Sequence, residues 1–127
     1  MNILIDSAKP FDRVVADLER SVAQHGFSVL HTHALSDTLA AKGHPVAVRC
    51  AVLEVCNARV ASQMLSRDPT ISLALPCRVA VFEDAQGTRL GTIAPTTILA
   101  GLDAPADVER AAAEVEHTLR QILADAA

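Results

Sequence analysis

One stretch, residues 54–95, changes backbone character several times, and each change is marked by a residue that forces it. It reads EVCNARVASQMLSRDPTISLALPCRVAVFEDAQGTRLGTIAP. Asn57 suits a helix N-cap, because its side-chain oxygen can take up an orphan amide of the first turn. Val60, Ala61, Met64 and Leu65 follow at helical spacing. Asp68-Pro69 stops that helix, since the residue before a proline is pushed out of the helical region. Pro76 then leads into an extended run that Cys77 opens. Residues 78–83 and 88–94 flank Asp84-Ala85-Gln86-Gly87, which predicts a hairpin with a four-residue loop ending on Gly87.

The flanking sequence continues the pattern. Residues 1–5 are apolar and fit a first strand. Pro10 suits the first turn of a helix, where its missing N–H costs little. Phe11, Val15, Leu18 and Val22 form that helix's apolar side, with Arg13, Asp17, Glu19 and Arg20 opposite. Gly26 ends it as a residue able to take positive φ. Residues 27–35 read as extended, and 36–43 as a short helical turn closing at Gly43. The strongest strand is 46–56, where Val46, Val48, Val52 and Val55 supply β-branched side chains. Residues 104–127 form the final helix, with Pro105 in its first turn. Its stripe is Val108, Ala112, Val115, Leu119 and Ile122. Residues 95–103 fit either a loop or one more short extended piece. The order is strand, helix, strand, strand, helix, strand, strand, helix. That order predicts a single α+β domain over residues 1–127, a mainly antiparallel sheet covered on one face by helices. Runs such as Val79-Ala80-Val81-Phe82 lack clean alternation, which predicts burial on both faces. A second copy of the chain would then cover the far face, most economically as a two-fold homodimer.

Composition narrows the function. Of 127 residues half are hydrophobic, yet Trp and Tyr are absent and only three Phe occur, so the core is aliphatic. A net charge of −4 disfavours nucleic acid and anionic membrane surfaces as partners. No run approaches the ~18 apolar residues of a membrane span. The opening MNILIDSAKP is too short a hydrophobic segment for a signal peptide and is interrupted by Asp6. Three cysteines are an odd count for a disulfide framework. The expected compartment is the cytoplasm, with free thiols.

The candidate chemistry gathers at strand ends. Cys56 immediately precedes the cap Asn57, so the first amides of a helix can face its sulfur and favour the thiolate. Cys77 follows a proline at the start of the next strand. Paired, the two thiols could form a disulfide, carry a persulfide or ligate a soft metal; alternatively they are small apolar packing groups. Cys50 lies mid-strand on the face of Val48 and Val52 and reads as core. Glu54 and Glu83 share the parity of a neighbouring cysteine. Either could serve as a base or pair across strands with Arg49 or Arg78. His31 and His33 point to one face of a strand, and His44 lies across the next turn. If strands 27–35 and 46–56 pair, the three imidazoles could form an open site for metal or haem iron; otherwise they are a solvated face. His25 and His117 carry no assignment beyond helix surfaces. There is no Gly-rich phosphate loop and no Gly-x-Ser-x-Gly elbow.

Cys56-Asn57-Ala58, Asp68-Pro69, Leu75-Pro76-Cys77 and Val81-Phe82-Glu83 leading to Gly87 occur in the order of a known set of phrases. Together with Gly26-Phe27-Ser28-Val29-Leu30 they resemble domain-of-unknown-function family 302, over residues 10–95. The chain departs from the pattern at Ala58, where proline is common. The resemblance implies a compact, self-associating α+β domain and carries no reaction and no catalytic residues. Its two recurring cysteines map onto Cys56 and Cys77. Two functions of different class are therefore expected. One is a thiol-based small-ligand or sulfur-handling domain using Cys56 and Cys77, beside Glu54 or Glu83. The other is a non-catalytic self-associating interaction module. Metal or haem binding through His31, His33 and His44 is a further alternative.

Overall fold

The computed structural model of the chain describes residues 2–127. Met1, which opens the first predicted strand, lies outside them. Strand β1 (Asn2–Ser7) leads to α1 (Phe11–Gln24) through Pro10, whose carbonyl accepts the amides of Arg13 and Val14 at 3.0 and 3.1 Å. Gly26, at φ +78°, turns the chain into β2 (Ser28–His33), as its freedom from a Cβ allows. Helix α2 (Leu35–Ala41) closes at Gly43. Strand β3 (Arg49–Cys56) starts later than its valines suggest, and Val46 and Val48 are exposed in the connection. Helix α3 (Ala58–Arg67) is capped as predicted: Asn57 Oδ1 accepts the Val60 amide at 3.3 Å. Asp68 then accepts the Thr70 amide at 3.0 Å and opens a 3₁₀ turn, Pro69–Leu73.

Strands β4 (Cys77–Asp84) and β5 (Gly87–Ile93) form the hairpin. Asp84 pairs with Gly87, so the loop is only Ala85-Gln86, two residues rather than the four predicted. The ambiguous stretch holds a short helix, α4 (Pro95–Ala100), and α5 (Ala106–Ala126) ends the chain, with Pro105 as its N-cap.

The five strands run in the order β1-β5-β4-β3-β2, and every neighbouring pair is antiparallel. Ala51, Leu53, Val55, Val79, Val81 and Leu90 point to one face and are buried under the helices. Helix α1 adds Val14, Leu18 and Val22, and α5 adds all five residues of its predicted stripe together with Leu123 and Ala126. Each fully buried Val, Leu or Ile among them contributes about 1.5–3 kcal/mol. Within α1 the buried valine is Val14, while Val15 stands half-buried beside it. The buried Ser21 hydroxyl donates to the Ile122 carbonyl at 2.9 Å and so fastens α1 to α5.

The other face of the sheet is not covered within the chain. Its residues are Cys50, Val52 and Glu54 of β3 and Ala80 and Phe82 of β4, all half-buried. A bulge in β2 between Val29 and His31 leaves Leu30 57% exposed, and Leu4 of β1 is 50% exposed. The strands therefore alternate between a covered and an open face, as one-sided antiparallel sheets do. Burial on both faces does not occur within one chain. Cys50 is accordingly a residue of the open face and not of the core.

Candidate functional site

The end of β3, the start of β4 and the end of β5 meet at one edge of the molecule. Three local devices shape that edge. Asn57 starts α3 immediately after β3. The Leu75–Pro76 peptide, which is cis, delivers the chain to β4. Thr96 fastens the start of α4 to α5, its amide and hydroxyl donating to Glu116 Oε1 at 3.2 and 2.6 Å. Those bonds hold the Glu116 carboxyl below the usual carboxylate range.

Between these elements lies a cavity of about 340 Å³. Its inner wall is apolar and buried: Phe27, Val60, Met64, Leu99, Ala112 and Val115. Its rim carries three large apolar side chains in contact with solvent, Leu73 at 79% exposure, Ile93 at 52% and Ile98 at 39%. Arg78 is the exposed cation among the lining residues, and Glu54, Asn57, Cys56 and Cys77 also line the space.

Both junction cysteines thus reach one cavity. Cys77 faces Val55 across the β3–β4 ladder, and Cys56 is the next residue along β3. Burial, and secondarily the neighbouring Cys56, pushes the Cys77 thiol up to about 11. Cys77 is therefore a neutral thiol at pH 7, an apolar wall rather than a standing nucleophile. Cys50 lies toward the opposite end of β3. There the Ser36 hydroxyl accepts its amide at 3.0 Å and bonds its carbonyl at 3.3 Å. Burial raises the Cys50 thiol as well.

The two candidate carboxylates separate. Glu54 lines the cavity, and its Oε2 lies 3.3 Å from Nε2 of His33 on β2. Glu83 sits at the far end of β4 from Cys77 and is no neighbour of either junction thiol. It accepts the Phe11 amide at 3.4 Å, at the positive end of α1, and the Thr88 hydroxyl at 3.3 Å. Of the two candidate cations, Arg49 stands opposite Glu83 in register but pairs with Asp12 at 2.8 Å, its guanidinium 4.4 Å over the Phe11 ring. Arg78 stands opposite Glu54 in register, yet among the described residues it forms no ion pair.

The three histidines do not converge. His31 and His33 meet edge to face on the open side of the sheet, ring centroids 4.3 Å apart. His44 lies exposed in the connection after α2. Among the described residues no three His, Cys, Asp or Glu side chains gather closely enough to hold a metal ion. β2 and β3 do pair, but the partner His33 finds is Glu54 rather than His44. His25 lies 3.2 Å from Asp125 at the joined ends of α1 and α5. No helix among the described residues is long and apolar enough to cross a membrane.

Sequence reasoning placed Cys56, Cys77 and Glu54 at this edge. It did not find the rest of the cavity wall. Ala112 and Val115 belong to a stripe that looks like any core stripe, and Arg78 was weighed only as an ion-pair partner. The signal open to reading was the apolar run around Leu73 and Leu75 immediately before Pro76, too long for a solvated turn.

The chain matches the family described as "Domain of unknown function DUF302" over residues 3–126, well beyond the residues that carry the motifs. Among solved structures it is similar to the crystal structure of an uncharacterized conserved protein, DUF302, from Bacillus stearothermophilus. The TM-score is 0.93 at 27% sequence identity, covering 99% of this chain and 98% of that one. No curated protein matches the chain.

Proposed function

Because this chain belongs to the family of domains of unknown function DUF302, which brings no reaction with it, we propose a function from the cavity itself: the domain binds a small, largely apolar ligand there. The observation that carries this reading is the cavity of about 340 Å³ with a buried aliphatic wall and exposed Leu73, Ile93 and Ile98 on its rim. Small-molecule sites are concave, mainly apolar spaces of roughly 300–1,000 Å³ with a few placed polar groups. At ~30 Å³ for a water-sized group, this one holds roughly eleven methylene-sized groups. Cys77 acts as a neutral wall. Cys56, at the strand end before α3, is the second thiol of the lining. Three free thiols suit a reducing compartment such as the cytoplasm. Titration with decanol, followed by methyl NMR, tests the reading. Shifts concentrated at Val60, Met64, Leu99 and Val115 are expected; shifts elsewhere, or none, would refute it.

A second reading concerns the open face of the sheet, and its proposed occupant is a second copy of this chain. The centre of that face is apolar, with Val52, Ala80 and Phe82 flanked by Leu4 and Leu30. Of its charges, Arg89 pairs with Asp84 at 2.7 Å and the Glu54 carboxylate lies 3.3 Å from His33 Nε2, while Arg78 has no ion-pair partner among the described residues. Five strands of six to eight residues span roughly 24 by 23 Å. That footprint, about 550 Å², is roughly two-thirds of the ~800 Å² per partner of a standard interface, so the exposed Leu4 and Leu30 at its margins must add to it. Ala80→Arg should convert a dimer to monomer in sedimentation or light scattering. A wild-type chain that stays monomeric at high micromolar concentration would refute this reading.

A further inference from the structure

We propose that the ligand of this cavity carries a single carboxylate, held by Arg78, at one end of an alkyl chain of roughly ten carbons. The inference rests on the cavity reading above and adds the chemical class. Arg78 belongs by register to the open face of the sheet, opposite Glu54, and borders the cavity where the strands end; it is exposed, and among the described residues it has no ion-pair partner. An unpaired guanidinium at the rim of an apolar space is unusual, because its forked donors match a carboxylate in two parallel bonds. The acid nearest in register, Glu54, does not use it: the Glu54 carboxylate lies 3.3 Å from His33 Nε2 instead. Asn57 and the start of α3, the positive end of that helix, also face this space. Glu54 sets a limit in the other direction. One free cation beside a carboxylate favours a monoanionic head over a phosphate dianion.

The tail then lies along Leu73, Ile98 and Leu99 toward Met64 and Val115, where the wall offers no partner for a second polar group. The chain is amphipathic by fit: an apolar body of the cavity's volume, and one anionic head where solvent and Arg78 meet.

Isothermal titration of the chain with decanoate, decanol and decyl phosphate tests this. The variants are Arg78→Gln and a charge-matched control, Arg110→Gln, on the exposed side of α5 and away from the cavity. Decanoate should bind the wild type about tenfold more tightly than decanol, as a charge-assisted pair implies. Arg78→Gln should remove that advantage and leave decanol unchanged, while Arg110→Gln should change neither. If decanol binds but decanoate binds no tighter, or if the advantage survives Arg78→Gln, the head-group assignment is wrong and the apolar cavity stands. Tighter binding of decyl phosphate than of decanoate would overturn the choice of a carboxylate. If none of the three binds, the cavity reading and this one fall together.

Discussion

The raised Cys77 thiol gives a prediction with a number. At pH 8 a thiol with the ordinary value of 9.0 is ionised in about one molecule in ten, whereas one near 11 is ionised in about one in a thousand. The thiolate fraction thus falls roughly a hundredfold. A more basic thiolate is also more nucleophilic, with a Brønsted slope of ~0.4–0.5, which restores roughly six- to tenfold over two units. The net expectation is that Cys77 reacts roughly ten to twenty times more slowly than an unperturbed thiol at pH 8, before shielding by the cavity walls is counted. The assay is a limited reaction with an aromatic disulfide, quenched with acid and read residue by residue by peptide mass spectrometry. Between pH 8 and 10 the Cys77 rate should keep rising close to tenfold per unit, where an ordinary thiol levels off above 9. Cys56→Ser should lower the Cys77 midpoint only slightly, because burial is the larger cause and Cys56 the smaller. A Cys77 rate that levels off at pH 9 would refute the burial argument.

Three further outcomes follow from the packing. Gly91→Ala should destabilise the protein strongly, because a Cβ there would overlap the Ile3 carbonyl oxygen and press on Leu4; an unchanged urea midpoint by circular dichroism would contradict that contact. Asn57→Ala should cost about 1 kcal/mol by the same assay through loss of the cap to Val60, and no loss would mean the cap is idle. Asp17 is surrounded by Lys9, Arg20 and Arg13, which hold its carboxyl well below the ordinary value of 3.8. Its stabilising effect is therefore fully present above pH 3.8 and lost as pH falls through the lower folded value. Asp17→Asn should lower stability at pH 7 and flatten the acid decline below pH 3.8, and parallel pH profiles for the two proteins would count against it.

Elements fixed by local chemistry were legible in the sequence. Gly26, Asn57 and Asp68-Pro69 each act through their own backbone or the next turn, and each stands where expected. What depends on distant partners was not legible. β3 begins at Arg49 because its ladder with β4 ends there, opposite Glu83; valine content cannot reveal that. The hairpin loop came out too long because Asp84 and Gly87, both good turn residues, pair with each other. Helix α4 depends on Thr96 meeting Glu116 of α5, a contact between residues far apart in the chain. The same division holds at the cavity. Cys56 and Cys77 were found because each sits at the junction of two elements. Ala112 and Val115 were not, because a side chain lining a cavity and one filling a core have the same periodicity. The expected three-histidine site failed for a similar reason: strand parity put His31 and His33 on one face, but nothing local positions His44.

The most direct test of the central claim is a native, non-reducing mass spectrum of the protein incubated with decanol, wild type beside Ala61→Phe. Ala61 lines the cavity from α3, and a phenyl ring there fills much of it. One decanol should bind per wild-type chain and none on the variant, with both chains folded by circular dichroism. Equal binding to the two proteins would place the ligand elsewhere and contradict that claim.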